Sequence, residues 1–214
     1  MSLAKTEKTM QNKNEFDQTY ADKQLYRSKH PIRRLIKHFY LNNILYDVIG
    51  SAVDLGCGAG QLLAKLPPDS LGLELNPFLI KELTSLGMNV LRYDMNEDDC
   101  QLSCIPQNQF KTLIISHVLE HFVDTATIMQ KLFSSANRLD ITRIIIVVPA
   151  KLGYASDKTH HTFINKVYIA TNNLDFISGY RLISSSHFPV PHEIFGNLFI
   201  YQELKLIYDK TEKI

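Results

Sequence analysis

Three glycines at alternate positions, Gly56, Gly58 and Gly60, follow a short apolar run that ends in Asp54 (VDLGCGAGQL, residues 53–62). Residues of these types in this order do binding chemistry. Glycine reaches positive φ without a Cβ penalty and lets a ligand lie directly against the backbone. At the end of a parallel strand, such a turn is where open α/β sheets hold nucleotide-like cofactors. A second group carries reactive side chains. Residues 116–122 read SHVLEHF, so His117, Glu120 and His121 stand at i, i+3 and i+4 and share one face if the segment is helical. Two imidazoles and a carboxylate so spaced can act as a base with its orienter, or as a divalent metal site of His117, Glu120 and His121. His160, in KTHHTF, joins His117 and His121 as a third candidate for proton transfer or acceptor contact.

The spacing narrows the cofactor. A dinucleotide turn reads G-x-G-x-x-G, which would require glycine where Gln61 stands. The observed D-x-G-x-G-x-G resembles motif I of the class I S-adenosylmethionine-dependent methyltransferases, in the small-molecule group of the type 11/12-like kind. The resemblance implies that Gly56, Cys57, Gly58 and Gly60 pack against the methionine part of the cofactor. It implies that Asp54 orients that loop or holds the cofactor's amino group. Glu74 (in LGLELNP), about 20 residues past the glycines, takes the place of the ribose acceptor, with Leu75 beside it. Asp94 (in LRYDMNE) would accept the adenine amino group, with the Met95 backbone against the ring. Ser116 and His117, at the end of the fourth strand, would run beside the methionine portion.

The same family often carries VLEH at this point. In quinone-biosynthesis O-methyltransferases and small-RNA 2′-O-methyltransferases, E-x-x-E-H binds a divalent ion; here His117 replaces the first glutamate. Related small-molecule methyltransferases also show a proline after the fifth strand and a D-x-T-H element, matched by Pro149, Asp157, Thr159 and His160. Thr159 is read as a cap for a helix starting near His160, and Tyr154 as a further lining residue.

The elements that must position these residues follow from hydrophobic periodicity. Pro31 suits a helix start, and Ile32, Leu35, Ile36, Phe39, Tyr40 and Ile44 recur with helical spacing. Strands are predicted at 71–75, 89–93, 112–116, 144–148, 180–186 and 199–208, besides the one entering the glycine turn. Helices are predicted at 61–66, from near Pro77 to before Gly87, and over 125–139. The run IIIVV at 144–148 suits a central parallel strand buried on both faces. The fold class is therefore α/β: a Rossmann-like, seven-stranded, mostly parallel sheet with helices on both faces and an antiparallel C-terminal edge hairpin. Residues 1–45 read as a tail and cap-helix region, and 46–214 as the S-adenosylmethionine-binding methyltransferase domain.

Composition sets the outer limits. The chain has 214 residues, 45% apolar and 21% charged, and its 23 Lys and Arg against 22 Asp and Glu give a net charge of +1. There is thus no global pull toward nucleic acid. A local basic patch at 26–37 (YRSKHPIRRLIK) keeps an RNA methyltransferase as the alternative. Cys57, Cys100 and Cys104 lack disulfide-framework or zinc-ribbon spacing, no apolar run is long enough for a membrane span, and no h-region is visible, so a cytoplasmic setting is expected. No D-P-P-Y or N-P-P-Y follows the fourth strand and no Pro-Cys pair is present, which argues against methylation of a base's exocyclic amine or of cytosine C5. The expected activity is methyl transfer to an oxygen or nitrogen of a small-molecule, sugar or lipid-like acceptor. A non-catalytic binding module would have no need of Gly56, Gly58, Gly60, Glu74 and Asp94 together.

Overall fold

The computed structural model describes Gln18 and residues 31–211. Residues 26–30 of the basic patch at 26–37 fall outside them, as do the side chains of 31–37. The chain runs α1 (Pro31–Leu45), β1 (Ala52–Leu55), a 3-10 turn (Leu63–Lys65), β2 (Leu71–Glu74), α2 (Pro77–Ser85), β3 (Val90–Arg92) and β4 (Thr112–Ser116). A second 3-10 turn (Leu119–His121), α3 (Thr125–Arg138), β5 (Arg143–Pro149), α4 (Lys151–Ala155) and α5 (Lys166–Thr171) follow. The chain then forms β6 (Phe176–Ile177), β7 (Tyr180–Phe188), a third 3-10 turn (Glu193–Asn197) and β8 (Glu203–Lys210).

All eight strands form one sheet in the order β3-β2-β1-β4-β5-β8-β7-β6. The first five are parallel, whereas β8 pairs antiparallel with both β5 and β7. This is the mostly parallel sheet with an antiparallel C-terminal end that the sequence predicts, extended by the two-residue β6. Because β8 runs against β5, its first residue, Glu203, lies opposite Pro149, at the carboxyl end of the parallel strands.

Strand alternation divides the core between the two faces of the sheet. Leu113, Ile115, Ile144, Ile146 and Val148 pack with Met129, Leu132 and Phe133 of α3 on one side. Ile114, Ile145 and Val147 pack with Leu83 of α2 and with Leu41 and Ile44 of α1 on the other. Successive side chains of a strand point to opposite faces, so only an uninterrupted apolar run satisfies both layers. Among the described residues, no helix is long and apolar enough to cross a membrane.

Local chemistry sets several boundaries differently from the sequence reading. After the glycines the chain makes a single 3-10 turn, and the N–H of Leu66 returns to the Leu63 carbonyl just before Pro67-Pro68. Thr159 caps no helix: its N–H and hydroxyl both donate to Asp157, and the helix begins later, at Lys166, capped by Asn165. The last strand starts at Glu203 rather than 199, because residues 193–197 coil into the third 3-10 turn. Asp98 accepts from the Tyr93 hydroxyl and the Ser103 N–H and so ties down the loop after β3.

Helix α1 is held to the sheet at its C-terminal end, where helix carbonyls lack intrahelical partners and favour cations. The buried Lys205 of β8 donates to the Asn43 carbonyl at 2.9 Å and to the Asp47 carboxylate. Arg143 of β5 donates to the Asp47 carbonyl at 3.1 Å while its fork grips Asp209 with two bonds of 2.7 Å. Removing one partner of a largely buried ion pair leaves the other desolvated and unpaired. Lys205→Ala is therefore expected to cost about 3 kcal/mol in urea unfolding, and an unchanged midpoint would show that α1 is not anchored there.

Candidate functional site

The glycine turn is built for close approach. Gly56, Gly58 and Gly60 have φ of +73°, +55° and +69°. Two of them are needed for packing, since a Cβ on Gly56 would lie 2.7 Å from Val118 and one on Gly60 would lie 2.5 Å from Leu83. Gly58 differs: a Cβ there would meet nothing within 4 Å. The space in front of it is open, and the N–H groups of Gly56 and Cys57 beside it both donate to the Leu73 carbonyl. Cys57 faces inward, tight against Gly72 of β2. Burial, reinforced by the Asp54 and Glu74 carboxylates, pushes its thiol far above the usual range. Its share in ligand binding is therefore limited to its backbone.

The acidic positions take three different forms. Glu74 is buried at the end of β2; its Oε2 accepts from Gly58 N–H at 2.8 Å, and its Oε1 accepts from Leu75 N–H at 2.9 Å and Asn76 N–H at 2.8 Å. One carboxylate thus joins the glycine turn to the start of α2. Three backbone donors occupy it, so the expected acceptance of both ribose hydroxyls narrows to its remaining acceptor capacity. Asp94 is half-buried, and its Oδ1 accepts from Asn96 N–H at 2.8 Å and Glu97 N–H at 3.3 Å, fixing the turn in which Met95 sits. Asp54 is 3% exposed at the end of β1.

Across from the glycine turn, His117 leaves β4 with φ of +55° while its N–H holds the Val147 carbonyl at 2.9 Å. A left-handed histidine is strained by about 1–2 kcal/mol. The bend delivers its ring between two carboxylates. Nδ1 lies 3.2 Å from Oε1 of Glu120, and Nε2 lies 3.5 Å from Oε1 of Glu203. The Glu120 side chain is 1% exposed and that of Glu203 9%, whereas the imidazole between them is 38% exposed. Burial raises the Glu203 carboxyl to about 7, with the nearby Glu120 charge adding and His117 opposing. Tyr40 of α1 completes this corner: its hydroxyl shares a short hydrogen bond with Ser116 Oγ, and its ring centroid lies 5.8 Å from that of His117. Burial, with Glu203 nearby, holds the Tyr40 phenol well above its ordinary range, so it remains a neutral O–H.

His121 and His160 pair with each other near Glu120, with ring centroids 4.9 Å apart. The expectation that His117 and His121 share a helical face fails, because 119–121 form one 3-10 turn and His117 precedes it in the left-handed region. The group whose ligand atoms lie within 4.8 Å of one another is instead Glu120, His121 and His160, among the described residues. His160 stacks on Tyr154 with centroids 5.5 Å apart.

Sequence reasoning missed Glu203 and Tyr40. An acidic residue opening an apolar strand was the available signal for Glu203, but only the antiparallel course of β8 brings it to His117. Tyr40 sat within a regular helical stripe and carried no signal of its own.

Residues 38–158 match the family model described as methionine biosynthesis protein MetW. No curated protein matches the chain. Among solved structures, an S-adenosylmethionine-dependent methyltransferase from Archaeoglobus fulgidus aligns with a TM-score of 0.63 at 18% identity, covering 91% of this chain and 100% of that one. Magnesium protoporphyrin IX methyltransferase from Synechocystis PCC 6803, solved with S-adenosylhomocysteine, aligns with a TM-score of 0.65 at 14% identity over 95% and 100%. The N-methyltransferase NodS from Bradyrhizobium japonicum WM9, also with S-adenosylhomocysteine, gives 0.59 at 12% over 91% and 98%. At these identities the likeness establishes the class I methyltransferase fold.

The raised carboxyl of Glu203 has a measurable consequence. Its value of about 7 lies above the ordinary 4.5, so the folded chain binds this proton more tightly than the unfolded chain. The resulting stabilisation is full below about pH 4.5 and is lost as pH rises through 7, by at most about 3 kcal/mol. Glu203→Gln should abolish that part of the pH dependence in denaturant titrations between pH 4.5 and 8. Parallel profiles for the variant and the parent would show that Glu203 ionises normally.

Proposed function

The chain belongs to the methionine biosynthesis protein MetW family, and on that premise we propose that it is an S-adenosylmethionine-dependent methyltransferase acting on an oxygen or nitrogen of a small-molecule acceptor. The observation that carries this reading is the open ground before Gly58, whose N–H is held by Glu74. The φ of +55° calls for glycine at this position, and the open space before it leaves room for a ligand to lie directly against the backbone. Glu74 would take a ribose hydroxyl, Asp94 and the Met95 backbone the adenine, and Asp54 with Ser116 the amino-acid end. When bound, the cofactor supplies an electrophilic methyl group on a sulfonium.

The work left to the protein is to place the acceptor atom in line and to take its proton. His117 is the side chain suited to that work. It is partly exposed at the mouth of the site, and the carboxylates on either side fix its ring and stabilise the imidazolium formed when it accepts a proton. Tyr40 and Ser116 close one side of this space. Exposed apolar side chains on the segment beyond it, Ile194, Phe195, Leu198 and Ile200, with Leu152 of α4, favour an acceptor that has an apolar part. A reducing, cytoplasmic setting accords with three free cysteines.

Two variants test the assignment separately. Glu74→Gln should weaken S-adenosylhomocysteine binding at least about tenfold in calorimetry, and unchanged affinity would remove Glu74 from the cofactor site. His117→Asn, which tolerates positive φ and so keeps the fold, should lower turnover about 10²–10³-fold with cofactor affinity retained. Full activity in that variant would end the catalytic role of His117.

A further inference from the structure

We infer that Glu120, His121 and His160 form a binding site for a divalent transition-metal ion of the zinc type, distinct from the pairing of His117 with Glu203. The two histidines carry the tautomer a ligand needs. Nδ1 of His160 lies 2.9 Å from the Tyr154 carbonyl, which can only accept, so that nitrogen holds the proton. Nδ1 of His121 lies 3.3 Å from the Thr159 carbonyl and 3.1 Å from the Thr159 hydroxyl. That hydroxyl already donates its own hydrogen to Asp157 at 2.7 Å, so here too Nδ1 is the donor. Both Nε2 atoms therefore present lone pairs, and backbone carbonyls hold both rings in orientation, as outer partners do for ligating histidines.

Glu120 supplies the charge. Its side chain is 1% exposed; Oε1 faces both His117 Nδ1 at 3.2 Å and His160 Nε2 at 4.0 Å, and Oε2 is buried without a hydrogen-bond partner among the described residues. A buried carboxylate oxygen in that condition costs free energy unless a cation meets it. The loop that bears His160 is fastened to the same residue, since the Glu120 carbonyl accepts from His161 N–H at 2.7 Å and Thr162 N–H at 3.1 Å. The three ligand atoms lie within 4.8 Å of one another, with Nε2 of His160 4.0 Å from Oε1 of Glu120. Bonds of about 2.0–2.1 Å in a tetrahedral site place ligand atoms about 3.3 Å apart, so side-chain shifts of about 1 Å close the set. Two imidazoles and one carboxylate suit zinc or a neighbouring first-row ion rather than magnesium or calcium. A fourth position would remain for water or an acceptor oxygen.

The test uses the full chain without a polyhistidine tag, titrated with Zn²⁺ by calorimetry and with Co²⁺ by visible d–d absorption. One equivalent should bind, and His121→Ala and His160→Ala should each weaken binding at least about tenfold, whereas the exposed His161→Ala should bind as the parent does. No saturable Zn²⁺ binding, or equal binding in the His121 and His160 variants, overturns the site. S-adenosylhomocysteine affinity is measured on the same samples. Its retention in a chain that binds no Zn²⁺ would overturn the metal centre alone, and its loss in a chain that binds Zn²⁺ would overturn the cofactor reading alone.

Discussion

Four carboxylates, those of Asp54, Glu74, Glu120 and Glu203, are taken out of water along the carboxyl edge of the sheet, and the donors they require decide how the loops there must run. A buried carboxylate is tolerated only when paired or hydrogen-bonded. Glu74 meets the demand with backbone alone, and in doing so fixes the glycine turn against the start of α2. Glu120 and Glu203 each turn one oxygen toward the same imidazole, which the left-handed residue at the end of β4 delivers between them. The glycine-turn side of the edge and the histidine side are two solutions to one electrostatic constraint.

Helix α1 belongs to the same arrangement. Its apolar face fills one layer of the core with Leu41 and Ile44, while its end is held by cations from β5 and β8. That fixed end sets the position of Tyr40 over Ser116. Strand β8 thus contributes both Lys205 to the anchor of the helix and Glu203 to the edge that the helix overlooks.

Much of this was legible in the sequence wherever the controlling interaction is local. The glycine turn was readable because positive φ within a few residues demands glycine, and the IIIVV run because burial on both faces leaves no room for a polar residue. Glu74 and Asp94 followed from their positions at strand ends. The histidines are legible by residue type but not in their grouping, since a helical face does not form where one left-handed residue precedes a single 3-10 turn. Glu203 was not found, because its role rests on an antiparallel pairing between strands far apart in the chain. The short helices α4 and α5 lacked enough length for periodicity to register.

The placement of β8 also bears on how the molecule comes into being. This strand follows β7 in the chain yet inserts between β7 and β5. Until it has been synthesised, β5 keeps a bare hydrogen-bonding edge and β7 has no neighbour on that side. The first five strands can associate before β8 has been made, but the sheet closes only once β8 has joined it, through contacts of long sequence separation. Glu203 arrives with that closing strand, so the glycine turn can form in a nascent chain in which His117 still lacks its second carboxylate.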